Sequence, residues 1–311
     1  MTLPLKIDLL DAALVPPEDA RIRLFHGRGK TVPGWEGLSI DRYPPVLVAT
    51  LFDDYPPDVL AALRQRLTDA LPALACDALL LQHRQRRPVH NEWAVGQAPR
   101  SHWVEEDGLR YRLDFERGQN LGFFADMAPG RQWLRHRAAD ANVLNLFSFT
   151  CAFSVAALAG GARRVVNIDL SAPALALGRE SQCENGFADA AVHYLPHNIF
   201  RSWKKLHSLG RYETIVVDPP SAQKGSFMVE KDYPTVLRRL SKLLAPRASL
   251  LVCLNAPWLD RQWLQRQVAE HLPGAELEAV LPGAPGFAEA GEPALKVLAY
   301  RYRRPEHLDQ D

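Results

Sequence analysis

Asp218 closes the apolar run Ile215-Val-Val217 and is followed by Pro219 and Pro220. A carboxylate at the carboxyl end of a buried parallel strand projects into the crevice where open α/β sheets bind ligands. The two prolines fix φ and remove two backbone donors, leaving a stiff turn whose carbonyls are free to accept. Such a group suits hydrogen bonding to a nitrogen of a substrate. A second acid, Asp169, ends Val165-Val-Asn-Ile-Asp169, 23 residues after Leu146. That placement suits the hydroxyls of a ribose. The turn between them, Phe147-Ser-Phe-Thr150, has no glycine, and the next Gly is Gly160. A dinucleotide site needs glycine there so that backbone can approach a pyrophosphate. The pattern points to a nucleoside cofactor without phosphates, as S-adenosylmethionine (SAM) is, and away from a dehydrogenase. By itself, Asp218-Pro-Pro220 also reads as an ordinary strand terminator.

The elements that must hold these residues alternate. Strands are expected at Val143–Phe147, Arg164–Asp169, Val192–Leu195, Thr214–Asp218, Leu250–Leu254, Glu276–Val280 and Ala294–Tyr300. Helices are expected at Ala152–Ala159, Ala172–Glu184, Tyr233–Leu244 and Asp260–Glu270, with Ser171 and Asp232 as N-caps. This alternation predicts a doubly wound α/β fold with a mostly parallel sheet covered on both faces. Upstream, Leu38–Ile40, Val46–Leu51 and Ala78–Leu81 read as strands, and Pro57–Leu71 has the spacing of an amphipathic helix. Leu109–Phe115 and Leu121–Phe124 flank Glu116-Arg-Gly-Gln-Asn120 and read as a β-hairpin. The expected organisation is a smaller α+β domain over 1–100 and a second domain over 101–311 that the hairpin leads.

These residues carry a family resemblance. Asn145–Thr150, Asp169 and Asp218-Pro-Pro-Ser221 together resemble the class I SAM-dependent methyltransferases that modify bases of large-subunit ribosomal RNA. The cytosine-C5 and guanine-N7 branches are the most similar. Gly118-Gln-Asn-Leu-Gly-Phe-Phe-Ala-Asp126 resembles the hairpin before their catalytic domain, and Gly37-Leu-Ser-Ile-Asp-Arg-Tyr43 their central RNA-facing domain. The likeness runs over roughly 22–301 and implies a seven-stranded sheet.

The resemblance implies a site. Asn145, Phe147, Ser148, Phe149 and Thr150 would line the methionine end of SAM, and Asp126 would face its amino group. Asp169, with Leu170 beside it, would take the ribose. Asn198 would stand against the adenine amino group. Asp218, Pro219 and Pro220 would meet the target base, and Ser221 and Lys224 its phosphate. A cytosine-C5 enzyme needs a thiolate nucleophile, which its branch keeps just past the fifth strand. Asn255 occupies that position here, with Cys253 two residues deeper in the strand, so the guanine-N7 pattern is the better match. Cys151, at a helix start, is a candidate for a lowered pKa, with packing beside the cofactor as the simpler reading.

Composition constrains the partners. The 311 residues carry a formal net charge of +1 and 47% hydrophobic residues. RNA affinity must therefore come from local patches. Arg84, Arg86 and Arg87 form the densest basic run, with Trp93 and Trp103 near in sequence for stacking. Arg21, Arg23, Arg28 and Lys30 make a second strip. Both also read as solvated loops. The cytosine branch carries a further N-terminal RNA-binding domain; this chain begins too late to hold it, so a weaker or differently built RNA grip is expected. Four cysteines without paired spacing suggest neither a disulfide frame nor a metal site. No membrane span or signal peptide is evident, which makes the cytoplasm the expected location. A homodimer stays open. Two alternatives remain: methylation of a protein or small molecule, and a non-catalytic RNA-binding relative.

Overall fold

The computed structural model describes residues 7–16, 22–99, 101–116, 120–223 and 227–306. The chain packs as two compact units. One comprises 1–106, 113–121 and 283–293; the other comprises 107–112, 122–282 and 294–311.

The first unit holds β1 (Arg23–His26), β2 (Leu38–Tyr43), β3 (Val46–Leu51), α1 (Pro57–Ala70), β4 (Ala78–His83) and β5 (His90–Val95). The strands lie side by side in chain order, and all pairs are antiparallel except β3 with β4. The helix is the crossover that a parallel pair requires. Its Leu63 and Leu67 face Leu47, Ala49, Leu79 and Leu81 in one apolar core.

β6 (His102–Glu106) and β7 (Leu109–Leu113) form a two-stranded ribbon. Here the structure corrects the expected hairpin. The turn is Asp107-Gly108, both residues with positive φ (51° and 75°), as a tight two-residue hairpin demands. Leu121–Phe124 is not a strand, although Asp114 N–H still donates to Leu121 C=O at 2.8 Å. Gly118 and Gln119 lie outside the described residues.

The second unit continues with α2 (Ala128–Arg135), β8 (Asn142–Leu146), α3 (Ala152–Ala159), β9 (Arg164–Asp169), α4 (Ala172–Glu184), β10 (Val192–Pro196), α5 (Trp203–Ser208) and β11 (Tyr212–Val217). The two-residue strands β12 (Ala222–Gln223) and β13 (Phe227–Met228) follow, then α6 (Val229–Leu240), β14 (Leu244–Asn255), α7 (Arg261–His271), β15 (Ala275–Val280) and β16 (Leu295–Arg303). Seven strands make one sheet in the order β10-β9-β8-β11-β14-β16-β15. Six of the seven run in the same direction; β16 alone runs antiparallel, between β14 and β15. Apolar cores lie on both faces, one built on Tyr212, Tyr233 and Leu264, the other on Trp133, Phe153 and Val216. The doubly wound α/β expectation is met.

Ser171 caps α4, its Oγ accepting from Ala174 N–H at 3.2 Å. Asp232 is not an N-cap. The helix starts one turn earlier, and the Asp232 carboxylate reaches back to accept from Met228 N–H at 2.8 Å. It satisfies a donor that helix starts leave open. Sequence patterning did not reveal α2 or α5.

Candidate active site

The strand order reverses between β8 and β11: the chain builds outward from β8 through β9 to β10, then returns to the other side of β8. In parallel sheets the loops leaving such a switch point part and leave a crevice at the carboxyl edge. The residues singled out above leave their strands at this edge.

The loop after β8 has an unusual backbone. Phe147, Phe149 and Cys151 all adopt left-handed φ, at 59°, 47° and 58°. Such angles are rare for bulky residues and cost of order 1–2 kcal/mol each. The dihedrals that glycine usually supplies are present without glycine, so the side chains, not the backbone path, are what would keep a pyrophosphate away. Asp169 holds the loop. Its carboxylate accepts from Phe149 N–H at 2.9 Å and from Ser171 N–H at 2.8 Å. Leu170 beside it is 47% exposed.

The segment carrying Asp126 packs on the same loop. Thr150 Oγ1 donates to Gly122 C=O, and the Phe124 and Phe149 rings lie 5.4 Å apart. The Thr150 hydroxyl is thus already engaged within the protein. Among the described residues, Ser148 Oγ is buried with no oxygen or nitrogen partner, its hydrogen-bonding neighbour being the Cys151 thiol, which leaves it able to bond a ligand. Asn145 turns inward: its amide donates to Asn167 at 3.0 Å, and Asn167 in turn donates to Ser154 Oγ at 3.1 Å. All three are buried, so Asn145 stands beneath the loop.

Asn198 follows β10 and caps a 3-10 turn over Ile199–Arg201, its Oδ1 accepting from Phe200 N–H at 2.8 Å. That bond directs the amide oxygen into the turn. The remaining NH₂ can only donate, which suits an acceptor better than the adenine amino group expected above.

Asp218 is half-buried at the end of β11. Removal from water, and secondarily the Asp126 carboxylate, push its pKa up to about 7; the Arg131 guanidinium opposes this. Arg131 is 3% exposed, donates to Phe124 C=O at 2.9 Å and sits 4.3 Å over the Phe123 ring. Sequence reasoning missed Arg131; an arginine one turn into a helix opened by Ala128-Pro-Gly130 was the available sign. Pro219 is buried and Pro220 half-buried. Ser221 Oγ donates to Asn255 C=O, which ties the Asp218–Ser221 turn to the end of β14. Asn255 is exposed, whereas Cys253 is fully buried and its thiol is driven well above the ordinary range, first by burial and then by Asp218 and Asp126. Cys151 is likewise raised by burial, contrary to the lowered value considered above. It packs against α4 where Gly178 leaves room; a Cβ there would lie 2.7 Å from Cys151 Cβ. Lys224 lies outside the described residues.

Arg84, Arg86 and Arg87 belong to the first unit, in the turn between β4 and β5. Arg86 and Arg87 are exposed, and Arg87 also donates to the Arg84 carbonyl at 3.2 Å. No group of acidic, histidine or cysteine side chains able to hold a metal ion occurs among the described residues. No helix among them is long and apolar enough to cross a membrane.

The residues of the second unit fit SAM: an acid for a ribose, an amide for an adenine, a buried hydroxyl and an acid for an ammonium, with Phe side chains where a phosphate would need glycine. The comparisons with known proteins agree. A ribosomal RNA large subunit methyltransferase I of Alteromonas mediterranea is 32% identical over 192 residues, 60% of this chain and 48% of the relative. A ribosomal RNA large subunit methyltransferase K/L of Shewanella frigidimarina is 29% identical over 70% of this chain and 32% of its own. The chain therefore spans about half or less of each. In fold, the SAM-dependent methyltransferase of Agrobacterium tumefaciens superposes with a TM-score of 0.65 at 18% identity, covering 86% of this chain and 88% of that one. SMU.776, solved with SAH, superposes with 0.79 at 24% identity over 94% and 77%. The S-adenosylmethionine-dependent methyltransferase family matches residues 22–303, and the chain belongs to that family.

Proposed function

We propose that the protein methylates a base of RNA, with large-subunit ribosomal RNA as the substrate. The names of the relatives support the choice of RNA. The observation that carries the chemistry is Asp218, a half-buried carboxylate raised to about 7 at the switch point of the sheet. A group titrating near neutrality is suited to take or share a proton in the transition state. SAM supplies an electrophilic methyl group. The protein's part is alignment and proton handling. In this reading Asp218 accepts a hydrogen bond from the base, and the Pro219 and Pro220 carbonyls receive its other donors. Lys224 meets the adjoining phosphate, while Ser221, its hydroxyl proton given to Asn255 C=O, holds the turn that carries it. Asp126, Phe147, Ser148, Phe149, Asp169, Leu170 and Asn198 hold the cofactor, with Asn145 and Thr150 supporting the loop from below.

The target atom in this reading is a nitrogen. Cytosine C5 must be activated by a thiolate; Asn255 stands at the strand end, and the buried, raised thiol of Cys253 is a poor nucleophile. The domain over 1–100, with Arg84, Arg86 and Arg87, engages RNA in the cytoplasm. A homodimer is compatible with this and is decided by the mass of the protein in solution. The test is transfer of tritium from labelled SAM into ribosomal RNA from a deletion strain, followed by nucleoside analysis. Label in a single base-methylated nucleoside supports the proposal. Label in protein alone, with none in RNA, refutes it.

A further inference from the structure

The first unit brings Arg84, one arginine of the basic run, together with two residues that the reading above does not use, Arg28 and Phe52. β1, β3 and β4 end at one edge of the five-stranded sheet, since β1 and β3 are both antiparallel to β2, and β3 is parallel to β4. The residues that follow them at this edge are Arg28, Phe52 and Arg84. The Arg28 guanidinium carbon lies 4.4 Å from the centroid of the Phe52 ring, and that of Arg84 lies 5.2 Å from the same centroid. Two cations share one aromatic side chain.

The backbone fixes all three. Phe52 N–H donates to Gly37 C=O at 2.7 Å, and Arg84 N–H donates to Leu51 C=O at 2.8 Å. Arg28 stands between two glycines that cannot be replaced without displacement. A Cβ on Gly27 would lie 1.7 Å from Trp35 O, and one on Gly29 2.0 Å from Ala288 O. Both guanidinium groups keep their donors: among the described residues, neither makes a side-chain hydrogen bond or has a carboxylate within 4.0 Å. Burial, and then Arg23, oppose the Arg28 proton, while Glu289 and Asp53 favour it, so the surrounding charge is mixed. For Arg84 it is wholly repulsive, from Arg28 and Arg87. His26 nearby is held neutral, its pKa lowered to about 4 by burial and by Arg23 and Arg28. Like charges gathered without a hydrogen-bonded carboxylate cost free energy in the unliganded protein, and an anion relieves that cost. The ring is already covered by guanidinium groups, so Phe52 serves as a support for them and is not a surface for base stacking.

We propose that Arg28 and Arg84, held on the Phe52 ring, form a phosphate site that takes the phosphodiester backbone of a nucleic-acid strand. The identity of that strand as substrate RNA rests on the reading above; the site itself does not. The test compares wild type with Arg28→Ala/Arg84→Ala, the paired Lys variant and Phe52→Leu. Binding of a fluorescein-labelled single-stranded RNA is followed by anisotropy across a salt series, and binding of inorganic tripolyphosphate by calorimetry. The paired Ala variant is expected to flatten the log–log salt slope by roughly 0.7 per lost contact and to abolish tripolyphosphate binding, with SAM affinity unchanged. The paired Lys variant should keep the slope. Phe52→Leu should keep it too, with RNA affinity reduced severalfold. A slope unaltered in the paired Ala variant overturns the site even if wild type methylates RNA. Tripolyphosphate binding lost in that variant, in a protein whose wild type binds no RNA, overturns the nucleic-acid assignment and the RNA reading together while keeping an anion site. Wild type that binds neither probe overturns both.

Discussion

Replacing Asp218 by Asn should stabilise the protein at alkaline pH. The carboxyl is raised from 3.8 to about 7 by burial and by Asp126. Between those values the folded protein holds a proton that the unfolded chain releases. Stability therefore falls as pH rises through that window. At 1.36 kcal/mol per unit, the full penalty is about 4 kcal/mol above pH 7, an upper bound because Asp218 keeps some contact with water. Asn carries no charge at any pH, so the variant escapes the penalty. Urea unfolding of both proteins from pH 4.5 to 8.5, fitted to the transition of the second unit, reads the difference. The variant's relative stability should grow by about 2–4 kcal/mol across the series, while its methyl transfer falls far below wild type. Subtracting the two curves removes the carboxylates that do not interact with Asp218; Asp126, which raises it, stays in the difference as part of the coupled pair. A difference that stays flat with pH would refute a buried, proton-holding Asp218. A variant that gained stability and kept full activity would refute its role in the reaction.

Asp169→Ala should weaken SAM binding by about 1–3 kcal/mol, the scale for hydrogen bonds to a charged group, as read by calorimetry; unchanged affinity in a folded variant removes Asp169 from the site. Asn198→Asp replaces the outward NH₂ by an acceptor but keeps the cap, so cofactor affinity should fall about tenfold with little change in stability; equal affinity would show that the amide does not meet the adenine. Cys253→Ala should retain most activity in single-turnover assays, and 5-fluorocytosine-containing RNA should trap no covalent adduct; an adduct lost in Cys253→Ala would restore cytosine C5 as the target.

The parallel half of the protein was legible because its strands are apolar runs separated by helices of conventional length. α3 and α4 fall where apolar spacing and Ser171 place them. α2 was hidden because Pro129 and Gly130 stand at its start, where proline is tolerated but spacing gives little signal. Its Arg131, which opposes the rise of Asp218, was hidden with it. The hairpin turn is ambiguous in the sequence because Gly118 offers a second turn candidate beside Asp107-Gly108, the stronger turn pair. The loop after β8 was legible in position but not in conformation, since nothing in Phe147 or Phe149 announces left-handed backbone. The Arg28–Phe52–Arg84 arrangement joins residues separated by up to 56 positions, and only the strand order of the sheet brings them together.

The buried amide pair bears on how the chain finds its alignment. Asn145 and Asn167 are direct partners across β8 and β9. Central parallel strands that are apolar on both faces specify their alignment weakly, because a shifted pairing buries nearly the same side chains. Val143-Leu144 against Val165-Val166 would tolerate a slip of two residues on hydrophobicity alone. The slip would part the amides and leave each of them unsatisfied inside the sheet, at roughly 1–3 kcal/mol for each group. The pair acts as a key that admits one pairing of the two strands. In that pairing Asp169 comes level with the loop whose backbone it holds, so two residues hidden from any ligand decide whether the crevice above them forms at all.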